Sequence, residues 1–114
     1  ALSVLESVKI GRKIAVLGDM LELGDFSEAA HREVGEMAFD KGIDILITVG
    51  ISGHNIAKGA VDSGFDKEKV FAAADNMTAI NILNRIIKAQ DIILIKGSRG
   101  MKMEEIVQYL QERR

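Results

Sequence analysis

Three times in this chain a run of apolar, largely β-branched residues leads directly into a glycine loop. Lys13-Ile14-Ala15-Val16-Leu17 ends at Gly18-Asp19, and Asp44-Ile45-Leu46-Ile47-Thr48-Val49 ends at Gly50. Asp91-Ile92-Ile93-Leu94-Ile95-Lys96 ends at Gly97. Runs without apolar–polar alternation read as strands buried on both faces, the pattern of a parallel sheet. Parallel strands need crossovers, and the segments between these runs carry the periodicity of helices.

Taken in order, Leu2, Leu5 and Val8 resemble the tail of an amphipathic helix, ended by Gly11. The first strand covers Lys13 to Leu17. A helix follows with Ser27 as N-cap and Glu28 in its first turn, running to Lys41 with Ala30, Val34, Met37 and Ala38 on one face. Gly42 stops it. After the second strand a short helix turns Ile56, Ala57, Ala60 and Val61 inward and closes at Ser63-Gly64. Val70-Phe71-Ala72 is a short third strand. Asp75 or Asn76 caps a helix whose inward face is Ala79, Ile80, Leu83, Ile86 and Ile87. The fourth strand, Asp91 to Lys96, precedes a last helix with Met103, Ile106, Val107 and Leu110 inward. The expected fold is α/β: one three-layer, Rossmann-like domain over residues 1–114, with a mostly parallel sheet and helices on both faces.

Composition narrows the function. At 47% hydrophobic and 28% charged the chain reads as an ordinary soluble globular domain. A formal charge of −2 and 4% aromatic residues argue against nucleic acid as a partner. No apolar run approaches a membrane span, and Glu6 and Lys9 interrupt the first apolar stretch, so neither membrane anchor nor signal peptide is expected. With no cysteine there is no disulfide and no thiolate ligand, which fits a cytoplasmic protein. The only two histidines, His31 and His54, are separated by a strand, so no metal site is expected. Ala1 opens inside an apolar periodic segment, so a fragment of a longer protein is expected.

Parallel strands place their carboxyl ends on one edge, and ligands of open α/β sheets bind there. That edge should gather Asp19 and Glu22 from the first loop, Ser52, His54 and Asn55 from the second, and Lys96, Ser98 and Arg99 from the last. Lysine supplies a point charge, arginine a planar fork, and Gly97 close backbone approach, a set suited to an anionic ligand. Alternatively Lys96 and Arg99 are solvated charges or partners of Asp19 and Glu22. His31 reads as a helix residue near the first turn, His54 as an exposed loop residue, and Met20, Met101 and Met103 as core fillers. The spacing of Gly18 to Gly24 is not a dinucleotide fingerprint, and the segment from Gly97 to Met103 is not a P-loop.

The segment Arg12 to Gly24, followed by Ser27, His31, Val34 and Gly35, closely resembles the C-terminal domain of a Mur ligase. Gly42-Ile43-Asp44 and the closing Lys96-Gly97-Ser98-Arg99 with Met103-Glu104 fit the same pattern, and the similarity runs essentially end to end. It is nearest to the branch that joins D-alanyl-D-alanine to UDP-N-acetylmuramoyl-tripeptide. The resemblance implies an ATP-dependent amide-bond ligase of bacterial peptidoglycan synthesis. In that family ATP phosphorylates a carboxylate, and the incoming amine displaces the phosphate. It implies that an N-terminal domain holding the UDP sugar and a central domain holding ATP and Mg2+ lie outside these residues. The family's Asp-x-Tyr-Asn-Ala-Asn-Pro stretch, which supplies a further strand, is likewise absent from them. By the same resemblance Lys96, Gly97, Ser98 and Arg99 face the dipeptide, with Arg99 on its terminal carboxylate. Gly18, Asp19, His31 and Asn55 belong to the cleft between domains, and no catalytic or metal-binding residue is carried over. The isolated chain is expected to be inactive. The other classes considered are a receiver-like signalling module and a free-standing nucleotide-binding domain. A receiver would carry proline after the last lysine and a phospho-acceptor aspartate ending a middle strand.

Overall fold

A computed structural model of the protein describes residues 11–20, 27–97 and 101–112. Four strands form one sheet: β1 (Lys13–Gly18), β2 (Ile45–Val49), β3 (Val70–Ala73) and β4 (Ile92–Lys96), in the order β3-β2-β1-β4 and all parallel. Four helices connect or follow them: α1 (Ser27–Asp40), α2 (Gly53–Ser63), α3 (Asn76–Ile86) and α4 (Glu104–Glu112). A 3-10 turn over Lys67–Lys69 leads into β3. The mostly parallel sheet expected from the apolar runs is thus found, with each strand within a residue or two of its expected ends. The expected first helix lies outside the described residues.

Alternation along the strands splits the core into two layers. Ile14 and Val16 lie in register with Ile45 and Ile47 on one face, packed against Ala79, Ile80, Leu83 and Ile106 of α3 and α4. Ala15, Leu17 and Leu46 face the other way, against Ala38 of α1 and Ile56 and Ala60 of α2. Every residue of β2 is buried, as a central strand between β1 and β3 requires. The edge strand β4 leaves Leu94 45% exposed.

The helices are rotated from the faces that apolar periodicity gives. The residues α1 buries are His31, Gly35 and Ala38, while Met37 is 56% exposed and Ala30 only half-buried. The cause is the crossing with α2. A Cβ on Gly35 would lie 1.9 Å from the Ile56 carbonyl oxygen, and one on Gly59 would lie 2.2 Å from that of Arg32. Two backbones meet where glycines permit it, so the helix turns its glycine inward and Met37 outward. Likewise α2 buries Gly53, Ile56, Gly59 and Ala60, leaving Ala57 half-buried and Val61 exposed. In α3 Ile82 joins the core, and Ile86 and Ile87 are half-buried; in α4 Val107 points to solvent.

Helix ends follow local chemistry. Asp75 caps α3 by accepting from the Thr78 N–H at 2.8 Å. Gly64 ends α2 at φ 119°, a left-handed conformation that leaves its N–H to the Ala60 and Val61 carbonyls. At the amino edge of the sheet the Arg12 guanidinium donates to both oxygens of Asp91, at 3.1 and 2.7 Å, and to the Ile86 carbonyl at 2.8 Å. This clamp joins the entrances of β1 and β4 at the edge away from the glycine loops. No described helix is long and apolar enough to cross a membrane.

Candidate functional site at the carboxyl edge of the sheet

Gly18 pairs with Val49 and Leu17 with Lys96, so the exits of β1, β2 and β4 stand side by side. The first and last loops touch: a Cβ on Gly97 would be 3.3 Å from the Cα of Gly18. Met103 fills the space beside both. Its sulfur would be 2.9 Å from a Cβ on Gly18 and its Cγ 2.8 Å from one on Gly97. With only 7% of its surface exposed, Met103 is a core filler whose bulk is admitted by two glycines.

Asp19 is buried, and its bonds are internal. Its N–H continues the ladder to the Val49 carbonyl at 3.2 Å, and its Oδ1 accepts the Ser52 N–H at 3.0 Å. The carboxylate sits at the start of α2, whose N-cap Ser52 makes no side-chain cap bond, so the acid supplies the negative end that a helix N-terminus favours. Gly50, at φ 108°, turns beside it, and a Cβ there would be 2.5 Å from the Asp19 carboxylate. Asp19 therefore ties the first loop to the second.

His31 stands behind the rim, fully buried. Its Nε2 is 2.9 Å from the Met20 nitrogen, and its Nδ1 is 2.6 Å from the Ser27 carbonyl oxygen and 3.1 Å from Ser27 Oγ. Asn55 is half-buried in the first turn of α2, its N–H bonded to the Ser52 carbonyl at 3.0 Å. His54 is exposed, with Nδ1 2.7 Å from the Ile51 carbonyl oxygen. Lys96 ends β4 as an exposed residue. Ser98, Arg99 and Glu22 lie outside the described residues.

One contributor has no counterpart in the sequence reading beyond a possible helix cap. The Asn76 amide nitrogen lies 2.8 Å from the Met101 carbonyl, 3.1 Å from that of Lys102 and 2.8 Å from Glu105 Oε1. It fixes the return of the last loop into α4 from a residue 25 positions earlier in the chain. No local pattern announces such a bond.

Between α1 and β4 runs a groove of about 380 Å3, whose walls include Leu17, Leu94 and Val34 and whose rim end is formed by Gly18, Met20, Lys96 and Gly97. It is apolar apart from its lysines, Lys41 and Lys96. Among the described residues no group of three His, Cys, Asp or Glu side chains is placed to hold a metal ion. Asp91, whose pKa falls below the usual carboxylate range chiefly through the hydrogen bond from Arg12, lies at the opposite edge. The described rim holds its loops to one another and leaves Lys96 exposed at the end of β4.

A family model described as Mur ligase, glutamate ligase domain, matches residues 1–99. The chain belongs to the Mur ligase family. This Mur ligase domain is 41% identical over 113 residues to the UDP-N-acetylmuramoyl-tripeptide–D-alanyl-D-alanine ligase of Bacillus subtilis (strain 168), covering 98% of the chain and 24% of that protein. It is 42% identical over 104 residues to the ligase of the same name from Escherichia coli (strain K12), covering 90% of the chain and 22% of the relative. Among solved structures it superimposes on crystal structure II of MurF from Acinetobacter baumannii with a TM-score of 0.80 at 30% identity, over 97% of this chain and 24% of the other. The MurF ligase from Thermotoga maritima in complex with ADP matches with a TM-score of 0.67 at 25% identity, over 91% and 23%. The chain thus spans about a quarter of the length of the curated relatives it matches. The family assignment and α/β fold expected from the sequence are both found. A receiver-like domain is not supported: β2, between β1 and β3, ends in Val49-Gly50 with no acidic residue. Nor is a free-standing nucleotide-binding domain.

Proposed function

We propose that this chain is the C-terminal, ligand-closing domain of a cytoplasmic bacterial ligase. That ligase uses ATP to join D-alanyl-D-alanine to UDP-N-acetylmuramoyl-tripeptide in peptidoglycan synthesis. The observation that carries this reading is the 41% identity over 98% of the chain to a ligase of that name. The geometry supports it: a carboxyl-edge rim with a lysine at the end of β4 suits the carboxylate end of a small peptide. In such a ligase ATP activates the tripeptide carboxylate, and the dipeptide amine takes the place of the phosphate.

ATP and Mg2+ are assigned mainly to the central domain, over which this domain closes: among the described residues no group of three His, Cys, Asp or Glu side chains is placed to hold a metal ion. In this proposal the central domain of the ligase binds them and an N-terminal domain holds the UDP sugar. This domain contributes Lys96, Gly97, Ser98 and Arg99 to the dipeptide, with Arg99 as the fork for its terminal carboxylate. Gly18, Asp19, His31 and Asn55 form the supporting side of the cleft.

Phosphate release tests the division of labour. The 114 residues alone should release no phosphate that depends on both ATP and D-alanyl-D-alanine. Joined to the N-terminal and central domains of the ligase, they should support it. Release from the chain alone, or a joined enzyme that accepts ATP and tripeptide yet ignores the dipeptide, would contradict the reading.

A further inference from the structure

Among the described residues, the buried imidazole of His31 has a partner at each ring nitrogen, and the two partners are of opposite kind. The Ser27 carbonyl oxygen, 2.6 Å from Nδ1, can only accept. The Met20 backbone N–H, 2.9 Å from Nε2, can only donate. A neutral imidazole carrying its proton on Nδ1 satisfies both at once, and neither the other tautomer nor the cation does. The ring itself is fully buried, so its two nitrogens depend on these protein partners.

The amide that His31 receives matters because of its place. Asp19 is held to β2 through its N–H and to the start of α2 through its carboxylate. Met20, the next residue, is held to α1 through His31. Two successive amides thus fix the exit of β1 in two directions, directly beside the contact of Gly18 with Gly97. Without an acceptor at the Nε2 position, the Met20 amide would be drawn towards water and the exit of β1 would shift against the loop that begins at Lys96-Gly97.

We infer that His31, with its proton on Nδ1, is a positioning residue: its Nε2 accepts the Met20 amide and thereby sets the exit of β1, against which Gly97 at the start of the proposed dipeptide-binding loop is packed. The inference rests on the proposed ligase reading for its functional consequence, though its tautomer and hydrogen bonds stand apart from that reading. It predicts a split between two conservative variants. In His31→Gln the side-chain oxygen reaches the position of Nε2 and keeps the bond from Met20, while the bond to Ser27 is weakened. In His31→Asn the amide nitrogen stands near Nδ1 and keeps the bond to Ser27, and the Met20 amide loses its acceptor.

In the complete ligase, His31→Asn should raise the KM for D-alanyl-D-alanine about tenfold while the KM for ATP holds, the cost of one half-buried donor deprived of its acceptor and felt at the dipeptide loop. His31→Gln should stay within about twofold of the parent even where its thermal stability falls as far as that of the asparagine variant. A merely structural histidine would give kinetic losses that follow stability in both variants, and that pattern overturns the inference. The second measurement is long-range proton–nitrogen correlation on the histidine-labelled ligase, with the His31 signals identified by their loss in the glutamine variant. A proton on Nδ1 is expected. A proton on Nε2 overturns the inference even in a fully active ligase. A Nδ1 proton in an enzyme that ignores the dipeptide places the failure in the ligase reading.

Discussion

Two aspartates mark the two edges of the sheet, and each is defined by what holds it. Asp91 is nearly enclosed, its side chain 3% exposed, and is gripped by Arg12. The hydrogen bond from Arg12 lowers its pKa more than burial raises it. A carboxyl with a lowered folded pKa adds stability above its unfolded value, about 3.9, and that contribution is lost as pH falls through the folded value. Asp91→Asn should therefore cost about 1–3 kcal/mol at neutral pH, and the parent–variant gap should close as the medium is acidified towards about pH 2. Urea titrations at neutral and acidic pH read this directly, and a gap independent of pH would contradict it. Asp19 was legible in the sequence as an acid in a loop after a strand, and its position on the rim is as expected. Its partner was not legible, because the Ser52 amide comes from 33 residues further along the chain. The same holds for His31, whose motif position is readable but whose bond to Met20 depends on where α1 meets the exit of β1.

At the scale of elements, strands were read closely and helix faces were not. A strand such as β2 announces itself through five consecutive buried apolar or β-branched residues, a local property. A helix face depends on what the helix packs against. Apolar periodicity gives weight to Met37 and Val61 and none to Gly35 and Gly59, yet the glycines make the α1–α2 contact. Gly35→Ala is the substitution that tests this. Its methyl would have to displace the backbone of α2 at Ile56 and Ala60 rather than a flexible side chain. Despite the better helix propensity of alanine, the variant should lose about 1–3 kcal/mol, seen as a lower urea midpoint at unchanged slope. A more stable variant would mean that the two helices are not in backbone contact there.

For the molecule as a whole, three parallel strand exits bring together residues from three distant stretches of sequence, and hydrogen bonds among the described residues tie each of them down. Asp19 and the turn before α2 are locked to each other, and Asn76 and Met103 brace the return of the last loop. The topology that creates this rim was legible because each apolar run is local and parallel order follows from the helices between them. Met103 was legible as an inward core filler, but its contact with Gly18 and Gly97 and the Asn76 bonds were not, since they depend on residues that only the assembled sheet brings together. Beside the bracing, Lys96 and Gly97 are exposed at the end of β4. The central claim is that this last loop receives the dipeptide carboxylate while the chemistry is done elsewhere in the ligase. The most direct test is steady-state kinetics of Arg99→Ala in the complete ligase with D-alanyl-D-alanine as the varied substrate. The account predicts a loss in kcat/KM for the dipeptide equivalent to about 1–3 kcal/mol, with the KM for ATP unchanged. Unchanged dipeptide kinetics would contradict it.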